Sequence, residues 1–146
     1  MLNLFLAVET QNWDYIKNKL GIHWPEGYIN EKIYFEATLD VYQHQIPAAK
    51  SKLDYLASAN FQFEEGLLAA SNYFASDTTN KLKPYGILVN GLLAKPNSIK
   101  LLKAYTKLAN QLGFTEEAQK SNERLRKLMT PEAFTSYSRK KPIAIL

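Results

Sequence analysis

The sequence predicts an all-α fold, a right-handed α-α superhelix of stacked helical hairpins. Three observations carry this. Leu101–Met129 reads as two amphipathic helices around a tight turn, that unit recurs upstream every 33–35 residues, and no alternating, β-branched run suggests a strand.

The hairpin at Leu101–Met129 is the clearest unit. Leu101, Leu102, Tyr105, Leu108 and Leu112 recur at helical spacing, so one face of its first helix is apolar. Gly113 ends that helix where a left-handed residue is wanted. Thr115 is the expected N-cap of the second helix, with Glu116 and Glu117 at its electropositive start. Ala118, Leu125 and Leu128 supply its buried face. Such a hairpin cannot bury its apolar face alone, and the chain repeats it. Ala118, Pro84, Ala49 and Ile16 open equivalent segments at intervals of 34, 35 and 33 residues. Seven residues further on stand Leu125, Gly91 and Leu56, with His23 as the exception. The preceding helices align too. Leu67, Leu68, Ala70 and Phe74 match Leu101, Leu102, Ala104 and Leu108 at a shift of 34, and Tyr34, Phe35, Ala37 and Val41 precede the first set by 33.

A helix–turn–helix period near 34 resembles the tetratricopeptide repeat. Leu112-Gly113-Phe114-Thr115-Glu116-Glu117-Ala118 is similar to that family's inter-helix turn, Gln11-Asn12-Trp13-Asp14 is similar to a second copy, and Pro96 falls where a proline often ends a repeat. The resemblance covers roughly residues 1–130.

Taken in order, residues 1–138 form one domain: a partial unit at 1–22, hairpins at 30–58, 61–94 and 97–129, a capping helix near 131–138, and a tail at 139–146. Leu2–Val8 is short for a first helix, and Trp13–Leu20 follows with Asn12 as its cap. One period back from the next unit, the first helix would begin before Met1. The chain then starts inside a repeat of a longer protein, or its first unit is a truncated cap. Trp24 and Tyr28 lie in a turn-rich connector and are expected to plug the gap between hairpins, an aromatic ligand clamp being the other reading. Asn30 caps the next helix, and Pro47 opens its partner at the first position. Asn60-Phe61 marks a turn, Phe63–Ser76 is an apolar helix, and residues 76–80 form a loop before Lys81–Leu93, where Pro84 must lie in the first turn. Thr130-Pro131-Glu132 starts the capping helix, expected to hide Leu125 and Leu128. Ile143–Leu146 ends the chain on apolar residues that are disordered, pack on the last helix or dock on a neighbour.

The 146 residues suffice for one domain with a core. No apolar run reaches membrane-spanning length, and the apolar start lacks the marks of a signal peptide, so the expected setting is cytoplasmic. The absence of cysteine excludes disulfides, thiol nucleophiles and thiolate metal sites. His23 and His44 lie in different repeats without further metal ligands, the Glu64-Glu65 and Glu116-Glu117 pairs are explained as helix starts, and no phosphate loop or nucleophile elbow occurs. The expectation is a non-enzymatic protein with no cofactor and no metal. Net charge is +4, unevenly placed: residues 95–146 hold eleven Lys or Arg against four Glu, whereas residues 1–94 hold seven bases against ten acids. The C-terminal third is thus a solvated lysine face or a docking surface for an acidic partner.

What the resemblance implies is surface chemistry. In the family the first helix of each hairpin lines a concave groove. Its outward-looking residues would here be Phe35, Leu39 and Tyr42, then Ala69 and Tyr73, then Lys100, Lys103 and Lys107. The groove would run from aromatic to cationic and suit a protein or peptide with an apolar stretch and an acidic end. Lys100 and Lys103 match positions at which some members grip a C-terminal carboxylate, although the asparagines and arginine of that clamp are not reproduced. The expected function is therefore protein–protein interaction, as a scaffold. The alternatives are a regulatory or positioning module of an upstream catalytic or membrane domain, or weak nucleic-acid binding through the basic third.

Overall fold

The computed structural model describes residues 2–59, 63–76 and 80–140. Among these, nine α-helices form and no strand does: α1 (Leu2–Glu9), α2 (Trp13–Leu20), α3 (Ile29–Tyr42), α4 (Ile46–Ala59), α5 (Glu64–Ala75), α6 (Leu82–Ala94), α7 (Ile99–Gln111), α8 (Thr115–Leu128) and α9 (Pro131–Lys140). Consecutive helices pair as hairpins, α1 with α2 through α7 with α8, and each hairpin packs on the next. The odd-numbered helices also touch in series, α1 to α3, α3 to α5 and α5 to α7.

The 33–35-residue spacing has a direct structural counterpart. Ile16, Ala49, Pro84 and Ala118 are all buried, and each is the third or fourth residue of an even-numbered helix. Seven residues on, Leu56, Gly91 and Leu125 are buried as well, while His23 lies exposed in the α2–α3 connector. Pro84 is the third residue of α6, where no helical acceptor exists for the N–H it lacks. The Ser71 hydroxyl of α5 donates to its carbonyl at 3.2 Å, which ties that position to the neighbouring helix.

The turns repeat with equal fidelity. Gly113 has φ +82°, as expected, but Gln11 (φ 58°) and His44 (φ 60°) hold the same left-handed position in the first and second hairpins. In all three the next residue's N–H reaches back five residues: Asn12 to Ala7, Gln45 to Asp40 and Phe114 to Ala109, each at 2.8 Å. The left-handed residue's own N–H bonds the carbonyl three back, Val8, Val41 or Asn110. This is the Schellman closure of a helix C-terminus. A side chain in that conformation costs about 1 kcal/mol that glycine avoids. His44→Gly is therefore expected to raise the melting temperature by about 3 °C; a calorimetric scan showing no gain would remove the strain argument.

Several helix ends differ from expectation. Thr115 is the first residue of α8, Phe114 occupies the cap position, and no side chain caps it. Asn30 lies inside α3, whose cap position is Tyr28, and its Oδ1 is buried without a partner. Asn12, Ser98 and Thr130 do cap, accepting from Tyr15, Leu101 and Ala133 N–H groups. Helix α9 runs on through Lys140, because nothing before Pro142 forces it to stop. It packs on α8 but leaves Leu128 36% exposed, so only Leu125 of the expected pair is hidden. Trp24 does fold back: its indole N–H donates to the Lys19 carbonyl at 3.0 Å and its ring lies 6.1 Å from Phe35. Tyr28 stays 46% exposed and plugs nothing. The Asn60-Phe61 turn, residues 77–79 and the Ile143–Leu146 tail lie outside the described residues.

The core is continuous from α1 to α7 and aromatic at its N-terminal end. Phe35 is fully buried, with ring centroids of Phe5 and Tyr34 at 4.9 and 5.0 Å; Tyr34 meets Phe63 edge-on at 5.5 Å. Further along, Leu53, Leu56, Leu67, Phe74, Leu88 and Leu101 fill it. The last hairpin uses a polar joint instead. Thr106, fully buried, donates its only proton to the Leu102 carbonyl at 2.7 Å, so Ser121 must be the donor in the Thr106–Ser121 contact between α7 and α8.

Candidate functional site

The odd-numbered helices expose one apolar recess, of about 500 Å³, across the α1–α2 turn, α3 and α5. Tyr42, Ala69 and Tyr73, three of the residues expected to look outward, line it. So do Val8, Trp13, Thr38, Val41 and Asn72, which sequence reasoning does not single out. Their spacing holds the signal. Thr38, Val41 and Tyr42 are three and four apart, as are Ala69, Asn72 and Tyr73, so each trio forms one stripe of its helix. Trp13 reaches the recess because the Schellman turn at Gln11 aims the start of α2 toward the end of α3. Its indole stacks on the Tyr42 ring at 4.7 Å and 21°, while its Nε1–H is buried without an acceptor. Tyr42 is 54% exposed and forms the open side.

Two placements correct the sequence reading. Phe35 does not face outward: with 0% exposure it lies under Phe5 and Trp24 and belongs to the core. The shift of 33 that aligns it with Leu68 fits, but both helices turn this position inward. Leu39 is half-buried and is not part of the recess lining. Nor do the lysines extend the recess as a cationic end. No charged residue lines it. Lys100 meets Glu65 of α5 at 3.2 Å, the Lys103 ammonium lies 5.3 Å from the Tyr137 ring centroid of α9, and Lys107 is exposed. Helix α9 thus meets the lysine row at Lys103, through Tyr137.

The ion pairs account for part of the charge asymmetry. Asp54 pairs with Lys83 at 2.7 Å, Glu64 with Lys95 at 3.8 Å and Glu65 with Lys100 at 3.2 Å. The first and third join an acid of one hairpin to a base of the next, and the second ties the start of α5 to the end of α6. Of the bases at residues 95–146, Lys95 and Lys100 are thus answered by acids of the preceding body. Being half-exposed, each pair contributes on the order of 1 kcal/mol or less. At the N-terminal end, burial and the carboxylates of Glu65 and Glu9 push the Tyr34 hydroxyl up to about 12.

Among the described residues no cluster of three or more His, Asp or Glu is placed to hold a metal, and no helix is long and apolar enough to cross a membrane. His44 is a turn residue with φ 60°. Compared with known proteins, the chain matches no family model, no curated protein and no solved structure. The functional reading accordingly rests on the recess and on the repetition itself.

Proposed function

We propose that the four hairpins are tetratricopeptide-like repeats stacked in a right-handed α-α superhelix, and that the domain is a non-enzymatic module binding an extended peptide along its odd-numbered helices. Support for the stacking comes from the recurrent buried positions Ile16, Ala49, Pro84 and Ala118 and from the recurrent turns at Gln11, His44 and Gly113. Support for the binding reading comes from one observation above the others: an uncharged recess of about 500 Å³, walled by Trp13, Tyr42 and Tyr73, opens on the face shared by α3 and α5. Its size fits one or two side chains, and aromatic walls beside amide and hydroxyl groups are what such sites use.

The partner implied is an uncharged one at this point: a segment presenting a Leu, Met or aromatic side chain, with Asn72, Thr38 and Gln11 placed to bond its backbone. A carboxylate end gains nothing here, because the recess offers no cation. Screening a peptide array with the purified domain should retain such segments. Tyr73→Ala and Tyr42→Ala should each weaken a retained peptide at least tenfold, about 1.4 kcal/mol, and Lys100→Ala should leave it unchanged. Retention of acidic peptides only, or full affinity in both tyrosine variants, would refute the assignment.

A further inference from the structure

The cations of α8 differ from those of α7 in how they are held. Lys120, Arg124 and Lys127 stand at intervals of four and three, so they form one row along the helix. With Asn97, from the loop before α7, they line a recess of about 400 Å³. Arg124 is fixed there: its Nη2 donates to the Asn97 Oδ1 at 2.8 Å. An amide oxygen orients the guanidinium without cancelling its charge, and the remaining N–H groups stay available for an oxyanion. Glu123 also lines the recess, but Arg126 engages both of its oxygens and lowers its pKa, so its charge is answered from outside the row. Lys120 shares its ammonium with Glu116 at 3.2 Å, in a pair too exposed to hold it firmly.

We propose that this recess is a second binding site, independent of the aromatic one, for the carboxylates of an acidic protein segment in extended conformation. The spacing favours that occupant. Four helical residues separate Lys120 from Arg124 by about 6 Å along the axis, and alternate side chains of an extended chain stand about 6.6 Å apart. Carboxylates at positions i and i+2 of the segment therefore meet the two cations together. A nucleic acid is the poorer fit, because no aromatic side chain lines the recess for base stacking.

The test uses a fluorescein-labelled hexaglutamate peptide and the full chain, followed by anisotropy at low salt. Wild type should bind, and Arg124→Ala should weaken binding at least fivefold. Asn97→Asp should do the same by neutralising Arg124 in place, whereas Lys107→Ala, which removes a cation elsewhere, should change it less than twofold. Unchanged thermal melts certify the folds, and Lys127→Ala substitutes for any variant that fails. Four outcomes would each overturn the site: no hexaglutamate binding, wild-type affinity in Asn97→Asp, equal loss in Lys107→Ala, or tighter binding of a thymidine oligonucleotide with the same variant dependence.

Discussion

Phe35→Ala should lower the melting temperature by about 10–15 °C, the largest loss expected from any single truncation on α3. The side chain is fully buried, and four rings meet there: Phe5 from α1, Trp24 from the connector, Tyr34 beside it and, through Tyr34, Phe63 ahead of α5. Truncating such a phenylalanine costs about 3–5 kcal/mol, from lost transfer energy and the cavity left behind. A domain of this size loses about 3 °C per kcal/mol. Because stacked hairpins contact only their neighbours, the loss should fall first on the N-terminal units, with hydrogen exchange rising in α1–α3 before α7 and α8. Tyr42→Ala on the same helix, at an exposed position, should cost less than about 3 °C. A melting point for Phe35→Ala within that range would place residue 35 outside the core.

This residue also marks where sequence reading succeeds and where it stops. The period was legible because the buried positions recur: small or aliphatic residues at Ile16, Ala49, Pro84 and Ala118 give the same answer in every hairpin. The all-helical class follows from that repetition. Which side of an odd-numbered helix faces the recess was less legible. α3 mixes apolar and charged residues around its whole circumference, Ile33, Tyr34, Phe35, Val41 and Tyr42 alternating with Glu31, Lys32, Glu36 and Asp40, and periodicity alone cannot rank such faces. Packing decides: Phe35 turns inward among rings, and Tyr42 turns out onto Trp13. The lysine row on α7 is readable as a row, but its surroundings are not. Glu65 lies 35 residues upstream of Lys100, and Tyr137 lies 34 downstream of Lys103, so both partners are brought in only by the fold. The left-handed turns at Gln11 and His44 were hidden for a different reason. Glycine announces such a position and a side chain does not, so only Gly113 could be read in advance.

Gly91→Val is the second substitution with a large expected effect, about 3 kcal/mol of destabilisation. Gly91 sits near the end of α6, buried between α5 and α7. A Cβ there would stand 3.0 Å from the Leu67 Cδ1 and 3.2 Å from the Leu101 Cδ1. Both leucines are fully buried, so neither can swing into solvent. Two effects compete. Glycine inside a helix costs about 1 kcal/mol relative to alanine, which favours replacement; overpacking a filled core costs about 1–3 kcal/mol and rises with each added carbon. For alanine the two nearly cancel, and Gly91→Ala should melt within about 3 °C of wild type. Valine adds two further carbons against the same leucines and gains less helix propensity, so the clash wins. The cause can be tested with Leu101→Ala, which removes the two Leu101 methyl groups that the new side chain meets and leaves the Leu67 Cδ1 in place. Alone, that truncation costs about 2–5 kcal/mol. Combined with Gly91→Val it should cost less than the sum of the two, because the valine fills the space vacated while its contact with Leu67 persists, a coupling of about 1 kcal/mol or more in a double-mutant cycle. Strict additivity, within about 0.5 kcal/mol, would mean that α6 approaches α5 and α7 less closely than these distances state.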